Sequence, residues 1–450
     1  MLIINGTLVT WEKENRILEG QAVYIEGKDI REIGPQAELK AKYPDAEVID
    51  ADGQLVMPGN ICAHTHFYGA YARGMAIPGD APKDFPEILE KLWWPLDKAL
   101  DGPSVRASAQ VHLVDAIKHG TTTLIDHHAS PNFITNSLDA IAAEVDASGL
   151  RAVLCYEVTD RDGEEKALMG VRENVSFIDK AAKGTVADGR VAATFGLHAS
   201  LTLTDKTLAV CRDAVADGGG FHIHVAEHEA DEYDSLKKSG LRVVDRLHKF
   251  EILGPSTIVA HGVHIDHLEA QLLVDTDTWL SHQPRSNMNN AVGVAQVESL
   301  LRAGVKVCLG NDGFTQDMWT EWKTAYLLHK VWHGDPRRMN GIDVVQMGIY
   351  NNAALANVFF PGRGLGVLAV GSAADLIFVD YHAFTPLTAG NLPWHILFGF
   401  NESMVTATMV DGRFLMRDKE VLVLEEARIA AEAQALAPAV WERYQRFAEK

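Results

Sequence analysis

The sequence predicts an α/β fold: a (β/α)8 barrel of the TIM type with a discontinuous β-sandwich domain built from both chain ends. Between residues 55 and 360, eight short runs rich in β-branched residues alternate with longer stretches of helical spacing. Segments without helical periodicity flank this region on both sides. Polar residues collect at the C-terminal ends of the eight runs, where such barrels carry their functional groups.

The β-sandwich domain is predicted from residues 1–58 together with residues 364–425. Its predicted strands are 2–10, 21–26, 30–33, 47–50, 374–380, 404–410 and 413–416. Asp411-Gly412 between the last two strands favours a tight hairpin. The alternative to one shared domain is a pair of unrelated small caps, one at each end.

The barrel is predicted to span residues 59–363, with its first strand run beginning just before this boundary. The eight strand runs are Leu55–His66, Thr121–His128, Arg151–Glu157, Val191–His198, Gly220–Glu227, Thr257–His264, Thr278–Gln283 and Val305–Asp312. Intervening segments such as Ser104–His119 and Ser137–Ser148 have amphipathic helical spacing. Residues 426–450 are predicted to form a C-terminal helical segment of one or two helices, with a break at Pro438.

Composition and charge limit the classes of function that the sequence is compatible with. The chain has 450 residues, of which 47% are hydrophobic and 23% charged, as in a soluble globular protein. Its net charge of -20 argues against nucleic acid and anionic lipid as partners, because both are also negative. The N-terminus lacks signal-peptide features, and no apolar stretch reaches the ~18–20 residues that span a bilayer. We therefore expect a cytoplasmic protein. Of the four scattered cysteines, three lie in apolar strand-like runs and are expected to be buried thiols rather than parts of a disulfide or a zinc site.

The first strand run ends in two histidines one residue apart. Positions i and i+2 of a strand share a face, so His64 and His66 can bind one metal ion. Coincidence in a chain with 19 histidines is the alternative. The other strand ends carry further candidates, namely Asp126, His127, His128, Glu157, His198, His222, His224, Glu227, His261, His264, His282 and Asp312. Because the strand ends of a barrel form one rim, this convergence favours a metal site.

Five segments together resemble the amidohydrolase superfamily, and within it the cytosine/guanine deaminase and triazine hydrolase branch. They are Pro58–His66, His224–Glu227, Ala260–Gly262, Ser281–Asn287 and Leu309–Gly313. The run Ser286-Asn-Met-Asn-Asn290 looks closest to the aminohydrolase group called SsnA. The resemblance covers nearly the whole chain, and the segments are specific in combination rather than singly.

The resemblance implies one divalent metal ion held by three imidazoles and a carboxylate. This donor set suits Zn²⁺ best and Fe²⁺ as a second choice. The implied ligands are His64, His66, His224 and Asp312. His222 lies on the same strand face as His224, which is preferred because the branch places the ligand three residues before the catalytic glutamate. The bridging lysine of binuclear relatives has no counterpart in the strand that ends at His198.

The resemblance also implies a reaction, in which the metal lowers the pKa of bound water and supplies hydroxide that attacks a nitrogen heterocycle. Asp312 takes the proton of the water, and His261 hydrogen-bonds the hydroxide and the developing oxyanion. Glu227 protonates the ring nitrogen and then the leaving amine. The implied activity is that of a cyclic amidine deaminase acting on a purine, pterin, pyrimidine or triazine.

Substrate contacts are expected on the rim and on the loop after the first strand. His198 matches a position that binds the heterocycle in the branch, and Arg73 and Trp94 lie where they can contact a planar ring. Packing of the loop aromatics against the rim is the alternative. Asp97 and Asn311 stand where relatives often have glutamate and threonine. The roles of His127, His128 and His222 stay open, and His282 is expected to support the site through a hydrogen bond.

Two other functions are consistent with the same residues. The first is hydrolytic removal of chloride or an alkylamine from a triazine, since the same attack serves another leaving group. The second is a non-catalytic metal-binding scaffold, which is disfavoured because a structural metal site needs neither Glu227 nor His261. The expected partners are a small N-heterocyclic substrate and, by resemblance, further copies of the chain in a homodimer or larger homo-oligomer.

Overall fold

The computed structural model of the protein describes residues 1–215 and 218–448. The N-terminal elements are β1 (Leu2–Ile4), β2 (Thr7–Val9), β3 (Ile17–Leu18), β4 (Gln21–Glu26), β5 (Asp29–Pro35), α1 (Gln36–Lys42), β6 (Val48–Asp50) and β7 (Leu55–Pro58). The run predicted as one strand over 2–10 is divided at Asn5, whose φ of +56° turns the chain between β1 and β2. This turn places the two strands in different sheets.

The barrel strands are β8 (Asn60–Thr65), β9 (Thr121–Asp126), β10 (Arg151–Leu154), β11 (Val191–Ala193), β12 (Phe195–Ala199), β13 (Phe221–Val225), β14 (Ile258–His261), β15 (Trp279–His282) and β16 (Lys306–Leu309). The helices of this region are α2 (Phe85–Ile88), α3 (Trp94–Ala99), α4 (Gly102–Lys118), α5 (Ser137–Ser148), α6 (Glu164–Ala181), α7 (Asp205–Ala214), α8 (Glu229–Ser239), α9 (Val243–Lys249), α10 (His267–Asp275), α11 (Pro284–Asn289), α12 (Val297–Ala303), α13 (Met318–His333), α14 (Gly341–Val345) and α15 (Asn352–Phe359). Strands and helices alternate, as predicted for a (β/α)8 fold.

The barrel strands pair in parallel in two arcs, β11-β10-β9-β8 and β12-β13-β14-β15-β16. The fourth predicted run is interrupted at Thr194, so that β11 pairs with β10 and β12 pairs with β13. A parallel bridge between Val158 and Leu197 joins the arcs on this side. The eight predicted runs therefore lie side by side in sequence order, and the predicted fold class is confirmed.

The other meeting point of the arcs lies between β16 and β8. The backbone amides of Asn311 and Asp312 donate to the carbonyl of His64 at 2.9 and 3.1 Å. The side-chain amide of Asn352 donates to the carbonyl of Ile61 at 2.6 Å and also to β16. These contacts bring the last strand of the barrel against the first, and they place Asp312 beside the histidines of β8.

The C-terminal elements complete the β-sandwich. They are β17 (Leu376–Val379), α16 (Leu392–Gly399), β18 (Val405–Val410), β19 (Arg413–Arg417), β20 (Glu420–Val421) and α17 (Glu426–Ala448). In the larger sheet, of order β20-β19-β18-β17-β7-β2-β3, strands from both chain ends pair directly. A second sheet, β5-β4-β1-β6, packs against it through an apolar core that includes Ile3, Val23, Val56 and Leu376. The shared sheet argues against two unrelated caps, while the boundaries 1–58 and 364–425 stay a prediction.

The segment predicted as one strand over residues 55–66 contributes one strand to the β-sandwich and one to the barrel. It divides into β7 of the sandwich and β8 of the barrel, with Gly59 between them. A Cβ atom at Gly59 would lie 2.2 Å from Cγ2 of Thr122, so the close approach of the two strands requires glycine here. The sandwich is thus attached to the barrel strand that carries the two histidines.

The C-terminal helix α17 runs from Glu426 to Ala448 through Pro438, so the predicted break at this proline is wrong. Burial of Ile429 before the proline and of Val440 and Tyr444 after it holds both halves against the molecule, which offsets the missing hydrogen bond. Residues 449 and 450 of the predicted helical segment 426–450 lie outside the described residues. Within the described ranges, the helices are all too short or too polar to cross a membrane.

Candidate active site

The four predicted metal ligands lie together at the C-terminal rim of the barrel. His64 and His66 project from the same face of β8, and Oδ1 of Asp312 lies 2.9 Å from Nε2 of each. Nε2 of His224 at the end of β13 lies 3.2 Å from Nε2 of His66. Residues separated by more than 240 positions in the chain are therefore neighbours, as the strand-end pattern predicts.

The donor atoms fit a divalent metal ion. Three overlapping groups each place one donor atom per residue within 4.8 Å of one another: His64, His66, His127 and His224; His64, His224, His261 and Asp312; and Glu157, His198 and His224. Imidazole nitrogen and carboxylate oxygen are ligands of Zn²⁺, and this donor set is less suited to Mg²⁺ or Ca²⁺, which prefer oxygen. Nε2 of His261 is buried without a hydrogen-bond partner in the described part of the chain. The residues present therefore fit a metal of this kind.

Backbone hydrogen bonds orient two of these imidazoles. Nδ1 of His66 is hydrogen-bonded to the carbonyl of His127 at 2.5 Å, and Nδ1 of His224 to the carbonyl of His198 at 2.8 Å. A carbonyl can only accept, so both Nδ1 atoms carry the proton and both Nε2 atoms are free to bind a metal. This tautomer is assigned from the hydrogen-bond network.

Three non-glycine residues at the rim adopt left-handed backbone conformations. The φ angles are +46° at Ala226, +75° at His261 and +55° at Asp312. Each such residue costs on the order of 1–3 kcal/mol and persists only where neighbouring contacts maintain it. Gln283 supplies one such contact, because its Oε1 accepts from the backbone amide of His261 at 3.1 Å. The strained backbone at His261 and Asp312 directs their side chains toward the shared site.

A short segment after β15 holds all three residues with predicted catalytic roles. The contacts are Ser286 Oγ to Asp312 Oδ2 at 2.5 Å, His261 Nδ1 to Asn287 Oδ1 at 2.8 Å, and Asn290 Nδ2 to Glu227 Oε1 at 3.2 Å. Sequence reasoning used this segment only as a family resemblance and missed its role. The signal was a set of polar residues at positions i, i+1 and i+4, shortly after a barrel strand. Helix α11 and its C-cap residue Asn290 place them on consecutive turns.

The two carboxyl groups of the site differ in their protonation. Burial raises the pKa of Glu227 to about 7, and the neighbouring His261, with Nε2 3.4 Å from Oε2, opposes that rise. Burial acts in the same direction on Asp312, but the adjacent imidazoles of His64 and His66 hold its pKa well below its usual range. One carboxyl is therefore suited to giving a proton at neutral pH and the other to remaining ionised.

A cleft of about 680 Å³, including its open mouth, lies over these groups. One wall is the helical stretch from Phe85 to Ala99, which contributes Leu89, Trp93 and Trp94 among others. His198 and Trp94 therefore lie where a substrate contact was predicted. Arg73 does not, because its exposed side chain follows the short 3-10 helix Phe67–Ala72 and lies outside the residues that line the cleft.

The C-terminal helix supports this wall. The Tyr444 hydroxyl donates to the carbonyl of Lys91 at 2.5 Å, and Nε of Arg443 donates to the carbonyl of Ala99 at 2.6 Å. Nε1 of Trp441 donates to a carbonyl in the segment after β8 at 3.0 Å. Residues near position 440 thus fix the backbone that carries the cleft aromatics, a role that no pattern in the sequence indicates.

Three further histidines lie near the site and differ in their contacts. His127 stacks on His222 with ring centroids 4.4 Å apart, and Nε2 of His128 is hydrogen-bonded to the Ser130 hydroxyl at 2.8 Å. His282 is buried, and neither of its ring nitrogens has a hydrogen-bond partner among the described residues. The expected supporting hydrogen bond from His282 is therefore wrong. Its ring lies instead 5.5 Å from that of His329, between centroids.

His222 contacts His64 and lies outside all three groups of donor atoms. Its Nε2 lies 2.8 Å from Nδ1 of His64, and its Nδ1 lies 3.9 Å from Sγ of Cys155, which donates to the carbonyl of Asp126. These contacts are consistent when Nδ1 of His64 donates to Nε2 of His222, Nδ1 of His222 donates to Sγ of Cys155, and the thiol donates to the carbonyl of Asp126. In this arrangement Nε2 of His64 carries no proton and is free to bind a metal.

We expect His222→Ala to weaken zinc binding by about 10- to 100-fold, because a ligand imidazole then loses its orienting partner. Competition with a chromophoric chelator measures this affinity directly. His222→Gln, which keeps an acceptor near His64, is expected to restore part of the loss. His248→Ala, a substitution of an exposed histidine, is the control. Unchanged affinity in His222→Ala would show that the contact has no orienting role.

Comparison with known proteins identifies the family of this chain. The sequence profile of the amidohydrolase family matches residues 55–415. A 5'-deoxyadenosine deaminase of Methanosarcina mazei is 34% identical over 442 residues, 97% of each chain. A 5-methylthioadenosine/S-adenosylhomocysteine deaminase of Pelotomaculum thermopropionicum is 31% identical over 444 residues, 96% of this chain and 97% of the relative.

The fold has a counterpart among solved structures. An adenosine deaminase from Xanthomonas campestris with bound zinc superposes with a TM-score of 0.85, at 23% identity and over 98% of both chains. This likeness concerns the fold, whereas the family profile and the sequence relatives concern the chain itself. With the profile covering most of the sequence and relatives above 30% identity over nearly its full length, the chain belongs to the amidohydrolase family.

Proposed function

We propose that this chain is a metal-dependent aminohydrolase that releases ammonia from the cyclic amidine of a nitrogen heterocycle. The observation that carries the proposal is the pair Glu227 and His261, buried beside the donor set with 3.4 Å between Oε2 and Nε2. A purely structural metal site needs no such pair. The relatives named as deaminases of adenosine derivatives support the same reaction class.

We infer that His64, His66, His224 and Asp312 hold one divalent ion, for which zinc is the best match to the donors. Such an ion, when bound, acts as a Lewis acid and lowers the pKa of water. Nδ1 of both His66 and His224 is engaged by a backbone carbonyl, which leaves Nε2 for the metal. His222 is better explained as a partner of His64 than as a ligand.

The protons of the reaction move through side chains of this chain. Asp312 is ionised and accepts a proton from the attacking water, while the Ser286 hydroxyl holds its other oxygen in place. Asn287 fixes Nδ1 of His261, so that Nε2 is free to accept a hydrogen bond from that water and to orient it for attack. Glu227 donates its proton to the ring nitrogen, takes the proton that remains on the added hydroxyl group and transfers it to the leaving amine. The proton held by Asp312 then returns to Glu227 for the next turnover.

The substrate is proposed to be a planar heterocycle bound between the rim and the aromatic wall. Trp93 and Trp94 line the cleft opposite the polar groups, and flat apolar surfaces of this kind bind ring systems. Removal of chloride or an alkylamine from a triazine is the second candidate reaction. A cytoplasmic location and a homodimer or larger homo-oligomer stay predictions from the sequence.

Ammonia release from a panel of heterocycles tests the proposal. Protein of measured metal content is incubated with 5'-deoxyadenosine, guanine, pterin, cytosine and an aminotriazine, and a chlorotriazine is assayed for chloride. We expect ammonia from at least one compound, and release at least about 10²-fold slower from the Glu227→Gln variant prepared in parallel. A metal-loaded protein that releases ammonia from none of them would contradict the proposal, and chloride release alone would favour the second candidate.

A further inference from the structure

A buried carboxyl group of the cleft takes no part in the proton transfers above. Glu157 follows β10 at the C-terminal end of the third strand run, is 1% exposed and lines the cleft. Neither of its carboxylate oxygens makes a hydrogen bond within residues 1–215 and 218–448. Oε1 lies 3.4 Å from Nδ1 of His66 and 3.6 Å from Nδ1 of His127, and Oε2 lies 3.8 Å from Nε2 of His198.

These neighbours do not satisfy the carboxyl group. Nδ1 of His66 already donates to a backbone carbonyl at 2.5 Å, and the other two separations exceed hydrogen-bond length. A buried carboxyl without hydrogen bonds is destabilising, and such groups concentrate where a ligand supplies the missing partner. The open side of Glu157 is the cleft itself.

The other acidic residues of the cleft already have partners. Oδ2 of Asp97 accepts from Arg161 at 2.6 Å, and Oδ1 of Asp231 accepts from a backbone amide at 2.8 Å. Glu227 and Asp312 accept from Asn290 and Ser286 as described above. Of the carboxyl groups that line the cleft in the described part of the chain, Glu157 is therefore the one left to a ligand.

The imidazole of His198, beside Glu157, also presents a hydrogen-bond acceptor to the cleft. The Thr202 hydroxyl donates its single proton to the carbonyl of Ala199 at 3.1 Å, and it therefore accepts from Nδ1 of His198, 2.7 Å away. In the neutral imidazole this leaves Nε2 as an acceptor, a tautomer assigned from the hydrogen-bond network. When its carboxyl group is ionised, Glu157 presents an acceptor oxygen 3.8 Å from the acceptor nitrogen of His198, in the same part of the cleft.

We propose that Glu157, together with His198, selects substrates whose ring edge carries N–H donors, such as the 2-amino-4-oxo pyrimidine ring of guanine or pterin. The inference rests on the proposed function and names its substrate class. Outside the reacting amidine, the adenine ring of a nucleoside offers only nitrogen lone pairs, which would face the two acceptors unfavourably. A ring with N–H groups instead supplies what a buried acceptor lacks.

Equilibrium binding tests this inference without turnover. Zinc-loaded protein is titrated with xanthine, the deamination product of guanine, and with its 1,3-dimethyl derivative, in which two N–H donors are blocked. We expect xanthine to bind at least about 10-fold more tightly, and Glu157→Gln to bring the ratio close to one. Glu165→Gln, an exposed substitution on α6, is the matched control and should leave the ratio unchanged. Equal binding by the original protein, or an unchanged ratio in Glu157→Gln, would overturn the inference.

Turnover supplies an independent comparison. We expect kcat/KM for guanine to exceed that for 5'-deoxyadenosine, and Glu157→Gln to lower the guanine value by about 10- to 100-fold at unchanged zinc content. If Glu157→Gln does not fold, Glu157→Asp, which keeps the carboxyl but shortens it, takes its place. Efficient turnover of 5'-deoxyadenosine that the substitution spares would overturn the inference and leave the proposed function intact. Ammonia from no heterocycle would contradict the proposed function, and the binding ratio would still decide the role of Glu157.

Discussion

Replacement of Glu227 by glutamine is expected to lower ammonia release by about 10²- to 10⁴-fold, the contribution of a positioned general acid, while the metal stays bound. Glutamine has nearly the same shape, and its carbonyl can still accept from Asn290, which donates to Glu227 at 3.2 Å. It cannot transfer a proton. Steady-state kinetics together with elemental analysis separate loss of catalysis from loss of metal.

Two further variants make this result specific. Glu229→Gln changes an exposed carboxyl two residues away and is expected to leave activity unchanged. Asn290→Ala removes the hydrogen bond but keeps the acid, so a smaller loss of activity than in Glu227→Gln is expected. Near-full activity in the Glu227→Gln variant would refute the role assigned to this residue.

Loss of His224 is expected to have the largest effect on metal binding. His224→Ala removes a proposed ligand, and we expect the affinity for zinc to fall by more than the ~10- to 100-fold expected for His222→Ala, which removes only a partner of a ligand. Chelator competition on both variants gives the comparison. A larger loss in His222→Ala than in His224→Ala would exchange the roles of the two residues.

Strand periodicity explains why much of the rim was predictable. His64 and His66 are two residues apart on one strand, and Asp312 and His224 follow other strands, so a closed barrel brings them together whatever the intervening loops do. The same rule leaves His222 and His224 equivalent, because both lie on one face of β13. The structure distinguishes them, because Nε2 of His222 lies 2.8 Å from Nδ1 of His64, whereas Nε2 of His224 lies 3.2 Å from Nε2 of His66.

Features that depend on tertiary packing were not predictable in the same way. The continuity of α17 through Pro438 depends on the burial of side chains such as Val440 and Tyr444, which no local propensity describes. The position of Arg73 depends on how the segment after β8 turns away from the cleft. The free carboxyl of Glu157 is recognisable only when the partners of its neighbours are known.

Removal and return of the metal tests the central claim most directly. The protein is stripped with a chelator, reconstituted with increasing zinc, and assayed at each step for bound metal and for ammonia release from its best heterocycle. We predict that the stripped protein releases no ammonia and that activity rises in proportion to bound zinc until one ion per chain is reached. Undiminished activity in the metal-free protein would contradict the account.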